Sequence, residues 1–91
     1  ILGVENENIE IKIYPNPAND LIKVKSTYNP KNPLKFMLID RIGRPFLIRE
    51  SFDQNKIDEV IELDQINSGL FIFLVYDGNH LLSSKKVIIN R

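Results

Sequence analysis

Leu70-Phe71-Ile72-Phe73-Leu74-Val75-Tyr76 is the longest apolar run in the sequence, and Asp77-Gly78-Asn79 follows it directly. A spanning helix needs roughly 20 apolar residues, so this run of about 7 is far too short for one. Its aromatic and β-branched content suits a strand, and its uniform hydrophobicity places that strand at the centre of a sheet. Asp-Gly-Asn is a strong hairpin signal, because its small polar residues tolerate the positive φ of a tight turn. Residues 81–90 are therefore expected to fold back as a last, antiparallel strand.

Reading outward from this hairpin, strand signals recur and no segment holds a helical period. Ile9, Ile11 and Ile13 alternate with Glu10 and Lys12, which predicts a half-buried strand over 9–14. Pro15-Asn16-Pro17-Ala18 must end it, since proline donates nothing to a ladder. Alternation resumes over 21–25, with Ile22 and Val24 against Lys23 and Lys25. Residues 26–33 read as a loop on their Asn29-Pro30 and Asn32-Pro33 breaks. A third strand over 34–40 and a fourth over 45–50 flank the tight turn Asp40-Arg41-Ile42-Gly43-Arg44. After a polar loop at 51–56 come a short strand at 59–63 and a compact turn at 64–69. The expectation is an all-β fold, a two-sheet antiparallel immunoglobulin-like β-sandwich of about seven strands. A small barrel is the alternative.

The 91 residues allow one domain, read as a linker tail at 1–8 and a folded unit at 9–91. A chain of this size buries only about 60–65% of the surface it exposes when unfolded, so its stability should be modest. Lysine plus arginine equal aspartate plus glutamate at 12 each, and no basic run exceeds Lys85-Lys86, which argues against nucleic acid as a partner. With no cysteine there is neither a disulfide nor a thiolate metal site. The first residue is Ile rather than Met, so the chain is expected to be the end piece of a longer protein.

Nothing in the sequence points to an enzyme, a cofactor or a metal. His80 is the only histidine and sits at a hairpin tip, where a solvated turn residue is expected. Asp77 and Asn79 lack the regular oxygen series of a calcium loop. Ser83, Ser84, His80 and Asp77 share one hairpin, too close in sequence for a catalytic triad. Asp58 and Glu59 are adjacent and point to opposite faces of a strand. There is no tryptophan, and Tyr14, Tyr28 and Tyr76 have no platform spacing, which disfavours a carbohydrate-binding module.

Four stretches together carry a resemblance to one family. They are Tyr14-Pro15-Asn16-Pro17-Ala18, the hairpin Leu38-Ile39-Asp40-Arg41-Ile42-Gly43-Arg44, the segment Leu63-Asp64-Gln65-Ile66-Asn67-Ser68-Gly69-Leu70-Phe71, and Lys85-Lys86-Val87-Ile88-Ile89 shortly before Arg91. In order, spacing and content they resemble the type A C-terminal sorting domain of the Bacteroidota type IX secretion system, over residues 9–91. Phe71 stands where the family usually has tyrosine, and Ile42 where a polar turn residue is commoner. The resemblance implies a domain that folds in the periplasm, is recognised by the outer-membrane translocon, and carries an upstream cargo to the cell surface. A sortase-like protease usually then removes it. An inert immunoglobulin-like or fibronectin-like spacer of a secreted protein is the competing reading.

The motif residues have structural readings beside the functional ones. Pro15, Asn16 and Pro17 form either a rigid turn or part of a recognition surface. Asp40 and Arg44 flank the turn of the hairpin motif. Gly43 and Gly69, the latter after Ser68, are expected at positive φ. Lys85, Lys86 and Arg91 form either a solvated, aggregation-resistant edge or a feature read by an acidic partner. In the strand over 70–76, Phe71, Phe73 and Val75 point one way and Leu70, Ile72, Leu74 and Tyr76 the other. The resemblance turns the Phe71 set inward, which leaves Leu70, Ile72 and Leu74 on an outer face that sandwiches normally keep polar. That face is expected to be covered by residues 1–8, by a second copy, by the translocon, or by the 26–33 loop.

Overall fold

The structure is a computed structural model that describes residues 10–52 and 56–91. Seven strands form among them: β1 (Lys12–Tyr14), β2 (Leu21–Ser26), β3 (Leu34–Ile39), β4 (Pro45–Ser51), β5 (Ile57–Glu62), β6 (Gly69–Asp77) and β7 (His80–Ile89). Every pairing between them is antiparallel. They make a three-stranded sheet in the order β1-β2-β5 and a four-stranded sheet in the order β4-β3-β6-β7. This is the expected sandwich, with β4 placed beside β3 in the sheet that holds β6 and β7. The strand carrying the long apolar run is interior, as its composition requires.

The period-2 pattern decides what the sandwich buries. Ile13, Ile22, Val24, Ile57 and Ile61 of one sheet face Leu34, Phe36, Leu38, Phe71, Phe73, Val75, Val87 and Ile89 of the other. The Phe36 and Phe73 rings stack at the centre, 6.2 Å apart with an interplanar angle of 22°. Each such side chain removed from water contributes on the order of 1.5–3 kcal/mol, and no cysteine is needed to close the core.

The long sides of the sandwich are tied by polar contacts between the sheets. On one side Glu59 of β5 receives Arg49 at 3.0 Å and the Ser51 hydroxyl at 2.7 Å, both from β4. On the other side the segment 15–18 lies along the free edge of β7. The Ala18 amide donates to the Ile88 carbonyl and the Asn90 amide to the Ala18 carbonyl, both at 2.7 Å. Ala18 and Ile89 form a parallel bridge there.

Several boundaries differ from the sequence reading. The first strand pairs only over Lys12–Tyr14, because Ile11 packs against the core without a ladder partner. Ile9 and the 1–8 tail lie outside the described residues. The fifth strand begins at Ile57 rather than Glu59, since buried Ile57 pairs with Ser26. It also stops before Leu63, whose amide turns to the Asp20 carbonyl at 3.0 Å. Gly43 has φ 95°, a conformation that costs a side-chain-bearing residue on the order of 1 kcal/mol or more. Gly69 also has the expected positive φ, 159°, and a Cβ there would lie 3.4 Å from Cε1 of the Phe71 ring.

The loop over 26–33 does not cover the outer face. It closes one end of the sandwich around Asp77, a carboxylate that is only 3% exposed. Asp77 accepts from the Tyr28 hydroxyl at 2.7 Å and from the amides of Lys31 and Asn32 at 3.1 and 2.7 Å.

Candidate functional site

The antiparallel topology sorts the loops into two poles. At the proximal pole lie Glu10, where residues 1–9 join the described chain, the 26–33 loop, the start of β5 and the β6–β7 hairpin. At the distal pole lie the 15–20 segment, the Asp40–Arg44 turn, the 63–68 turn and Arg91. The turn and terminal segments of all four family-like motifs therefore share one end of the molecule, opposite the point where the preceding chain joins.

Local hydrogen bonding builds each part of this pole. Asp40 Oδ1 accepts from the Ile42 and Arg44 amides at 2.9 Å, and Oδ2 accepts from Arg44 Nε at the same distance. The Arg44 amide leads in holding the Asp40 carboxyl below its ordinary value, against desolvation, with the Arg44 side chain and Ile42 amide adding to it. Ile42 is left at the tip of the turn, 78% exposed. Across a cleft of about 1000 Å³ stands the 63–68 turn, so that the hairpin motif and the Ser-Gly motif line opposite walls. Arg91 holds that second wall from behind. Its amide donates to Ser68 Oγ at 2.9 Å, and its guanidinium donates to the carbonyls of Leu63 and Ile66.

Asn16 joins the first motif to the last. Its side-chain amide donates to the Lys86 carbonyl and accepts from the Ile88 amide, each at 3.0 Å. Pro15 and Pro17 flank it, both preceded by cis peptide bonds and both exposed. Thus the paired motifs at the two ends of the sequence are a single hydrogen-bonded unit, a convergence that spacing alone did not reveal.

Lys85, Lys86 and Arg91 do not act alike. Lys85 lies opposite Phe73 on the core-facing side of β7, and its ammonium reaches the Ile13 carbonyl at 3.4 Å. Lys86 lies opposite Ile72 on the outer side. Arg91, though exposed, is hydrogen-bonded to the 63–68 turn.

The outer face of the four-stranded sheet is apolar, as the alternation predicted. Leu70 is 43% exposed, Ile72 39% and Ile88 47%. Leu74 is a correction: at 7% it is buried. Met37 and Ser84 are its register partners on the two neighbouring strands. Sequence reasoning also missed Asp77 and Tyr28, because an Asp before Gly-Asn reads as a turn residue rather than a buried anchor.

No curated protein and no solved structure matches the chain. The family model described as the secretion system C-terminal sorting domain matches residues 12–90, nearly the whole length and all four motifs. The family is one of type IX sorting signals and not of enzymes. This chain belongs to the secretion system C-terminal sorting domain family.

Proposed function

We propose that this domain is the signal by which a type IX translocon recognises an upstream cargo, and that the distal pole is the surface read. The supporting observation is the gathering of the motif turns at the pole opposite Glu10. A cargo joined through residues 1–9 would trail from the proximal pole and leave the distal one free to meet the outer membrane. On this reading the protein passes through the periplasm of a Gram-negative bacterium and becomes secreted or surface-exposed. A sortase-like protease then separates domain and cargo. A spacer domain would have the same fold, so fold alone does not favour either role. Family membership favours sorting.

The test is an Arg41→Glu/Ile42→Asp double variant, fused to a reporter in a host with a type IX system. Both side chains are exposed and only the Ile42 backbone amide is used structurally, so the melting temperature should hold. The reporter should remain in the periplasm. Normal surface delivery by this variant refutes the distal pole as the recognised surface, and failure of the unaltered fusion refutes the sorting role itself.

A further inference from the structure

We infer that the outer face of the four-stranded sheet, around Ile72, Ile88 and Lys86, is a second docking surface for a partner protein whose contact is apolar at its centre and carries a carboxylate opposite Lys86. The inference rests on the sorting role proposed above and concerns a different surface from the distal pole.

Ile72 and Ile88 lie on this face 39% and 47% exposed, where a solvated sheet face would carry polar residues. Lys86 stands directly across from Ile72, and no ion pair to it occurs among the described residues. Its backbone is fixed from the edge by Asn16. The backbone that carries this exposed cation is therefore fixed at the margin of an apolar surface, and the ammonium has no ion-pair partner among the described residues. The 15–18 segment already occupies the adjoining edge of β7, so a partner meets the face there rather than adding a strand.

Charge complementarity selects the occupant. The outward positions of this sheet carry Lys35 and Lys86 against a single carboxylate, Glu50 at the far edge strand. A second copy of the chain would bring more lysines than carboxylates to the interface, and like charges there suppress association. A membrane is less suited, because these aliphatic side chains lie in rows on a sheet and none forms a protruding wedge.

Three variants in the reporter fusion test this: Ile72→Lys, Lys86→Glu and Lys86→Arg. A fourth, Lys23→Glu on the exposed face of the other sheet, is the control. Surface delivery should fall at least about tenfold for Ile72→Lys and Lys86→Glu, the loss expected when a desolvated charge meets no partner or the wrong one. Lys86→Arg and the control should be delivered normally. Melting temperature is read for each purified domain, and Lys86→Glu decides if Ile72→Lys unfolds, since Lys86 is exposed. Normal delivery of Lys86→Glu overturns the inference. So does concentration-dependent dimerisation abolished by Ile72→Lys, or sedimentation of the domain with vesicles containing anionic phospholipid that Lys86→Glu abolishes. If the unaltered fusion itself stays in the periplasm, the sorting role fails and the inference falls with it, whereas loss in the variants alone supports it.

Discussion

Replacing Asp77 by alanine isolates the anchor of the proximal pole. The change removes a carboxylate that accepts from the Tyr28 hydroxyl and from the Lys31 and Asn32 amides, with contacts of 2.7–3.1 Å. A hydrogen bond to a charged group contributes about 1.5–3 kcal/mol, but Lys31 and Asn32 are exposed and water replaces part of the loss. A net cost of about 3 kcal/mol is a fair expectation, and in a domain of this size it lowers the melting temperature by roughly 12–24 °C. Circular dichroism melts at neutral pH measure it. The same site has a pH signature. Burial pushes the Asp77 carboxyl up, yet the bonds from Tyr28, Lys31 and Asn32 outweigh burial and hold it below its ordinary value of 3.8. A depressed folded-state value means the stabilisation is present above the unfolded value and disappears as pH falls through the folded one. The unaltered protein should therefore lose stability below about pH 4, and Asp77→Asn should lose less over that window. A melting temperature lowered by less than about 4 °C in Asp77→Ala would refute the anchoring role.

Asn16→Ala should cost about 1–2 kcal/mol in urea unfolding, since it removes an exposed pair of hydrogen bonds that ties the first motif to β7. An unchanged midpoint would mean that the 15–18 segment is held by Ala18 alone. Leu74→Lys should destabilise by more than about 2 kcal/mol, because the side chain is buried despite lying on the outer face. A folded, unperturbed variant would place Leu74 at the surface after all. Gly43→Ala should cost about 1 kcal/mol, read from the same unfolding curves, for the positive φ it imposes on a Cβ-bearing residue.

Much of the fold was legible because strands with one wet face write their alternation into the sequence. Ile22 and Val24 against Lys23 and Lys25 is such a case, and so is the hairpin at Gly78-Asn79. What stayed hidden was tertiary. Lys85 and Lys86 look equivalent in a list of residues, yet the pleat sends one toward Ile13 and the other to the outer face. Arg91 reads as a terminal charge, and only the folded chain brings it against the 63–66 carbonyls. Leu74 was placed on the right face but with the wrong exposure, because alternation gives direction and not the height of neighbouring side chains. The motifs of the candidate site were each visible; their gathering at one pole follows from topology, which no single motif contains.

The central claim is that the domain carries cargo outward through a type IX translocon. Surface proteolysis of intact cells bearing a reporter fused ahead of residues 1–91 tests it most directly, in a type IX-competent host and in the same host lacking the translocon. The account predicts a reporter degraded by external protease in the first and protected in the periplasm of the second. Equal protection in both hosts, or equal exposure in both, would contradict it.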